Sequence, residues 1–381
     1  SADSYLYQGL RVSDDPGTTP IVFPMLELNH VGEPGKYGVN TSLDASLLAL
    51  TRTHGTDTRR LSIKGGIGMP YFGPLGDVIE LSATLRGDLY HYASHPIEGE
   101  AGGYDTGFEG RVYPLLTAGW RLPLSRRHGS SITEIMEPAV AVFVSPNMGN
   151  SSTIPNEDSI EQEFDETNLF SPNQFTGLDR VEGGTRISYG LRWGAYGAKG
   201  GSTSFFIGQR YRFRRDDSFP DASGLEDDFS DLVARVRIRP DKNLSLAYKT
   251  RIDKNDLSPR RTELNLAAGP PALNLRTNYV FFDRQEGSEF GGREEIQGQI
   301  STKLNRLWRA GFASRYNLEG EGELRSLGLN FTYECECFVF NVSLRREFYE
   351  DRDLKPNDSI LFRLTFKTLG DIQTGVSRSG N

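Results

Sequence analysis

From Asp77 the sequence DVIELSATLRGDLY sets Ile79, Leu81, Ala83, Leu85 and Leu89 on one side and Glu80, Ser82, Thr84, Arg86 and Asp88 on the other. An alternation of two is the period of a strand. The same pattern returns in TRISYGLRWGAY, FFIGQRYRFR, DLVARVRIRP, LNLRTNYVFF, SLGLNFTY and FVFNVSL, and no segment keeps the helical period over three turns. The pattern predicts about eighteen strands, over 5–12, 20–30, 38–53, 58–70, 77–92, 107–122, 131–145, 184–197, 202–215, 229–239, 242–253, 258–268, 271–284, 293–304, 306–318, 322–334, 337–349 and 358–369.

The connections fall into two kinds. PYFGPLGD, RPDKN, GPPA and LNRLW are short. They alternate with longer polar stretches: HYASHPIEGEAGGYDTG, RRDDSFPDASGLEDD, RQEGSEFGG and the run from Pro146 to Gly184. Long strands with short turns at one end and long loops at the other predict an all-β chain, a transmembrane antiparallel outer-membrane β-barrel. A soluble sandwich would have strands of about five or six residues and no such alternation. With the short turns on the periplasmic side, the strand at 358–369 runs down as the last one. Both chain ends and the turn between 322–334 and 337–349 are then expected on that side.

Composition refines this picture. Mean hydropathy is -0.48, and no window reaches the roughly eighteen apolar residues of a membrane helix, so any membrane crossing belongs to strands. The chain of 381 residues holds 42 Gly, 22 Phe and 16 Tyr, and its net charge of -8 gives it no general basic surface for nucleic acid. Its first residue is Ser1, without a basic and apolar leader, which is read as a mature product or a fragment.

Catalytic signatures are missing. His91 and His95 have the spacing of a helical metal pair, but extended backbone separates them by about 13 Å. No metal or cofactor is expected. The glycine-rich KGGIGMPYFG fits no dinucleotide fingerprint, and its glycines suit strand curvature and packing. No nucleophile and base pair stands out, so the chain reads as a non-enzyme; an outer-membrane lipase is the enzymatic alternative.

The arginines carry more information. Arg186 and Arg192, then Arg210, Arg212 and Arg214, then Arg235, Arg237 and Arg239 share the polar face of three consecutive predicted strands. With the apolar face toward lipid, all eight point into a lumen. There they can bind an anion in the forked geometry of guanidinium or pair with an acidic plug. The loop just upstream, EDSIEQEFDE, offers Glu157, Asp158, Glu161, Glu163, Asp165 and Glu166. Folding it inward would neutralise the wall, and pairing is the favoured reading. A second use of the same carboxylates would be to hold divalent cations at the cell surface.

Both cysteines, Cys335 and Cys337, stand in the turn FTYECECFVF. A bond across so short a loop is strained. In a compartment that oxidises thiols, each is expected to find a partner elsewhere, in a further part of the chain or in another subunit.

Longer stretches carry a resemblance. The run FDETNLFSPNQFTGLDRVEGGTRISYGLRW (Phe164 to Trp193), with EPAVAVFVSPN and IPNEDS before it, is similar to the lipopolysaccharide-assembly family LptD, also called OstA. So are the opening YLYQGLRVSDDPGTTPIVFPMLELN and the closing YECECFVFNVSLRREFYEDRD with ILFRLTFKTLG. The resemblance covers essentially the whole chain and has an alphaproteobacterial flavour. It implies an outer-membrane translocon that receives lipopolysaccharide from a periplasmic LptA-like bridge and inserts it into the outer leaflet through a lateral gate. It also implies a barrel of about 26 strands, an LptE-like plug lipoprotein inside it, and a preceding periplasmic jelly roll. Residues 1–381 then make up the C-terminal part of the barrel domain, without the jelly roll and the first strands. The gate's last strand would carry Ser359, Ile360, Phe362, Leu364 and Phe366, and Cys335 and Cys337 would bond to the N-terminal domain. Glu336 separates the two cysteines, where the best-known members have them adjacent. The alternative reading is a general diffusion porin with an arginine-lined lumen.

Overall fold

The computed structural model describes residues 1–9, 14–96, 103–147, 150–283, 292–350 and 355–379. Twenty strands belong to one antiparallel sheet, and no α-helix occurs among the described residues. The first eight are β1 (Ala2–Leu6), β2 (Ile21–Val31), β3 (Asn40–Thr51), β4 (Asp57–Phe72), β5 (Val78–Pro96), β6 (Tyr104–Arg121), β7 (Leu124–His128) and β8 (Ile132–Val144). After the long 145–185 segment come β9 (Arg186–Gly197), β10 (Ser202–Arg212), β11 (Leu232–Asp241), β12 (Leu244–Ile252), β13 (Pro259–Ala268) and β14 (Leu273–Phe282). The last six are β15 (Arg293–Lys303), β16 (Trp308–Asn317), β17 (Glu323–Glu334), β18 (Phe338–Glu347), β19 (Asn357–Phe366) and β20 (Gly370–Ser379).

All eighteen expected strands are present, with the first shifted back to Ala2–Leu6. Two more were not expected. β7 is short and exposed. β20 corrects the expected ending: it pairs with β19 from Phe366↔Gly370 to Asn357↔Ser379. Ser359, Ile360, Phe362, Leu364 and Phe366 therefore lie on a strand paired on both sides, to β18 and to β20, and not on the last one. The described chain also ends at the end of the sheet opposite the Cys335–Cys337 turn, not beside it. The signal passed over was DIQTGVSRS, whose Ile372 and Val376 share one face at a spacing of four with Thr374 between them. Parts of four expected loops, 97–102, 148–149, 284–291 and 351–354, and residues 10–12 of the first expected strand lie outside the described residues.

Contacts group the chain into two compact units. The first holds Ser1–Leu124, Glu137–Leu191 and Gly208–Asp231; the second holds Ser125–Met136, Arg192–Ile207 and Leu232–Asn381. In the first unit, β1 to β6 pair each with the next, and β6 pairs with β8. In the second, β11 to β20 form an uninterrupted meander.

Burial in the first unit is inverted relative to a soluble protein. On β4, Thr58, Arg60 and Ser62 are 0%, 3% and 4% exposed, while their neighbours Leu61 and Ile63 are 39% and 47% exposed. On β5 and β6, Arg86, Asp88 and Arg111 are buried, while Leu85, Leu89, Val112 and Leu116 are exposed. Lys, Arg, Asp and Glu are almost never fully buried unless paired, and water disfavours wide apolar surface. Both oddities have one cause if the exposed face meets lipid.

The second unit shows the same outward pattern, with Leu275, Ile300, Phe312, Leu329, Phe331, Ile360 and Phe362 exposed. Its other face bears polar ladders. Asn330 donates to Ser343 Oγ at 2.8 Å, and Asn341 donates to Thr332 Oγ1 at 2.9 Å. Beside the Cys335–Cys337 turn, Trp308, Tyr333 and Phe338 pack ring to ring at 5.1 and 5.7 Å. Such aromatic girdles mark the edge of a membrane band.

Leu85→Arg, placed on the exposed face of β5, is expected to lower stability in a bilayer by about 2–4 kcal/mol. Urea titration of the protein folded into lipid vesicles checks this. A soluble sandwich would tolerate an exposed Arg there with almost no change.

Candidate functional site

The 145–185 segment is held by the charged face of the first unit. It has a small apolar footing, in which Val181 and Phe170 pack against Tyr113, Leu115, Ala141 and Phe143. Most of its fastening is polar.

Three clusters of charge do the work. In the first, the Glu182 carboxylate is completely buried and its Oε1 receives three guanidiniums: Arg212 at 2.5 Å, Arg210 at 2.8 Å and Arg186 at 3.2 Å. Backbone carbonyls take further guanidinium protons, and Arg210 Nε donates to Ser188 Oγ at 3.0 Å. Arg210 donates to Leu169 at 2.5 Å and to Ser171 at 3.2 Å, Arg212 to Gly183 at 2.9 Å, and Arg186 to Gly184 at 3.2 Å and to Pro172. Arg186 and Arg212 also lie over the rings of Phe143 and Phe219.

The second cluster joins Arg60 of β4 to Asp158 at 2.7 Å and Asp179 at 2.6 Å. Asp158 Oδ1 accepts the amides of Leu178 and Asp179, while Asp179 Oδ2 accepts those of Glu157 and Asp158, so two loop stretches are tied crosswise. Gly177 makes this closeness possible. Its φ is +62°, and a Cβ there would stand 2.4 Å from the Asp158 carbonyl oxygen. In the third cluster Asp88 bridges Arg86 at 2.8 Å and Arg111 at 2.6 Å, and Arg111 reaches on to the Asp179 carbonyl at 2.8 Å. Tyr113 adds a bond of 2.6 Å to the Glu182 carbonyl.

The expected pairing of the arginine strands with the acidic loop is only partly what the molecule shows. Arg186, Arg210 and Arg212 do bind the inward loop, but through Glu182, not through the EDSIEQEFDE carboxylates. Among those, Glu157 pairs with Arg52 and accepts from Thr58 at 2.9 Å, and Asp158 pairs with Arg60. Asp165 closes a local turn on the Thr167 amide at 2.7 Å. Glu161 forms a backbone bridge to Phe175, Glu163 is exposed and Glu166 is buried.

The other arginines stay out of this site. Arg192 is exposed, with its guanidinium over Phe206; Arg214 is exposed beyond the end of β10. On β11, Arg235 is half-buried and Arg237 and Arg239 are exposed. Sequence reasoning missed Arg52, Arg60, Asp179 and Glu182. The available signal was the D-R-x-E spacing of LDRVEGG, which puts two carboxylates in the short run leading into β9.

The carboxylates differ electrostatically. Burial works to raise the Glu182 carboxyl, but the charges of Arg186, Arg210 and Arg212 outweigh it and hold it below the usual range. Burial likewise opposes ionisation of Asp158, and Arg60 with the Leu178 amide overcomes it. For Asp179 burial prevails, reinforced by the neighbouring Asp158 charge, and its carboxyl is pushed up despite Arg60. No group of three or more His, Cys, Asp or Glu able to hold a metal occurs among the described residues.

In the second unit, Cys335 is half-buried and Cys337 exposed, both as free thiols. Their turn is braced by Glu334, which pairs with Arg309 and with Lys367 at 3.1 Å.

The model of the family described as "LptD: LPS transport system D" matches residues 1–308. The chain belongs to the LptD family. Among curated relatives, the LPS-assembly protein LptD of Nitrosococcus oceani is 24% identical over 260 residues, 66% of this chain and 33% of that protein. That of Albidiferax ferrireducens is 23% identical over 291 residues, 70% of this chain and 35% of that protein. That of Burkholderia thailandensis is 22% identical over 356 residues, 90% of this chain and 44% of that protein. The chain thus spans between a third and somewhat under half the length of these LptD proteins.

Removing one partner of a buried ion cluster costs about 3–5 kcal/mol, and Glu182→Gln is expected to loosen the 145–185 segment on that scale. The pH dependence has a definite sign. A lowered folded value means that Glu182 stabilises fully above its unfolded value of 4.5 and loses that contribution as pH falls through the folded value. Asp179 works in the opposite sense, since its raised folded value makes ionisation costly as pH rises above 3.8. Hydrogen exchange of the 178–184 amides is expected to quicken below pH 4.5 beyond its intrinsic rate, and Glu182→Gln should flatten that response. An unchanged response in the variant would remove Glu182 from this role.

Proposed function

We propose that the chain is the C-terminal part of a lipopolysaccharide translocon of the Gram-negative outer membrane, which places lipopolysaccharide in the outer leaflet without any catalytic step. The observation that carries this reading is the inverted burial of the first unit, apolar outside and charged within, in a chain of the LptD family. The 145–185 segment is its barrier. Strand-borne Arg60, Arg111 and Arg210 hold it against the face where a pore would run. A diffusion porin would keep such arginines open to solutes, and here they are occupied by carboxylates and carbonyls.

The gate belongs to the region of β18 to β20, with β19 and β20 at the C-terminal side of the opening. The periplasmic part of the whole protein would take lipopolysaccharide from an LptA-like bridge, and an LptE-like lipoprotein would complete the plug. Cys335 and Cys337 suit a link to that periplasmic part, because their turn lies at the short-turn end of β17 and β18 and both thiols are unpaired.

Depleting the whole protein in its own host is expected to remove newly made lipopolysaccharide from the cell surface, scored by surface labelling. Normal surface lipopolysaccharide after depletion would overturn the proposal. For the cysteines, non-reducing gels of Cys335→Ser and Cys337→Ser are expected to show loss of an oxidised form in at least one variant. Mobility identical to wild type in both, and in the double variant, would rule the link out.

A further inference from the structure

The outer face of β16 to β20 carries a groove of about 400 Å³. Its floor is one register row across five strands: Phe312, Leu329, Leu344, Ile360 and Val376. The next row, two residues nearer the β18–β19 connection, changes character to Leu327, Arg346, Asp358 and Arg378. An apolar row thus ends abruptly in two guanidiniums and one carboxylate.

Among the described residues, the two guanidiniums are not used up by the fold. Arg346 lies over the Phe348 ring at 5.1 Å, and its approach to Asp358, 3.6 Å from Nε, is longer than a hydrogen bond. Arg378 makes no ion pair among the described residues and is exposed. One strand, β19, lies between theirs, so two inter-strand spacings, roughly 10 Å of sheet, separate them, within the reach of two long side chains toward one headgroup. Lipid chains can lie along the apolar row, and a forked guanidinium matches phosphate.

We propose that this groove is a docking site for the phosphorylated lipid portion of lipopolysaccharide, with acyl chain on Leu329, Leu344, Ile360 and Val376 and phosphate on Arg346 and Arg378. Two positive groups against one negative favour an anionic head, and the charged row stands at the end of the strands that carries the long loops. The choice of lipopolysaccharide over other anionic lipids rests on the functional reading above, which makes that end the outer leaflet. The site would hold the lipid on the wall beside the C-terminal strands once it has left the interior.

The test uses the whole protein in phosphatidylcholine nanodiscs, with bound lipid counted by native mass spectrometry. The probes are bisphosphorylated lipid A, the same lipid with its phosphates removed, and phosphatidylglycerol. Wild type is expected to retain bisphosphorylated lipid A roughly tenfold better than the dephosphorylated form, a difference of one charge-assisted contact. Arg346→Gln with Arg378→Gln should abolish the preference, and Arg346→Lys with Arg378→Lys should keep part of it. Equal retention of the two lipid A forms by wild type, or a preference surviving the double Gln change, overturns the site; phosphatidylglycerol retained as well as lipid A overturns its assignment to lipopolysaccharide. Retention on purified protein does not depend on transport. A failed site with depletion still blocking surface lipopolysaccharide leaves the translocon reading standing, and the reverse pair of results separates the two the other way.

Discussion

A strand wall that turns its apolar side chains outward must bury its charges, and every buried charge must find a partner. Taking an ion out of water costs several kcal/mol even after relaxation. The first unit answers this with the 145–185 segment, whose carboxylates and carbonyls meet Arg60, Arg111, Arg186, Arg210 and Arg212. Loop and wall are therefore interdependent. Neither the guanidiniums without Glu182 and Asp179, nor those carboxylates without the strands, would be stable in the dry space they share.

That interdependence makes the fastening specific. Apolar packing is non-directional, whereas the charge clusters hold the segment through named partners. Backbone carbonyls supply much of the latch, which makes the conformation of the loop as important as its charge. Gly177 shows this, since its left-handed φ lets the Asp158 and Asp179 stretches cross at hydrogen-bond distance. The outer face of the second unit works by the opposite chemistry, with the wide apolar rows left for lipid and charge confined to their rim.

Much of the fold was legible because period-two alternation is a local property. DVIELSATLRGDLY shows its two faces without any tertiary knowledge, and each of the eighteen expected strands exists. The two additions were missed for local reasons: β7 is five residues long, and β20 alternates weakly, with Ile372 and Val376 its only large apolar residues. For the site, sharing a face was enough to group Arg186, Arg210 and Arg212. It also grouped Arg192, Arg214, Arg237 and Arg239, which lie further along the same faces and remain exposed. Position along a strand relative to a folded-in loop has no periodic signature.

By itself, then, the amino-acid order determined an antiparallel chain of long strands with opposed faces and uneven connections, because a strand displays its neighbours' alternation directly. The runs around Phe164 to Trp193 also carried the family resemblance. Only the tertiary structure decided which carboxylate meets which arginine. Glu157 and Asp158 belong to Arg52 and Arg60, and Glu182 to the three arginines of β9 and β10. These partners are brought together by the path of an irregular loop, and that path is set by glycine geometry, carbonyl bonding and desolvation acting at once.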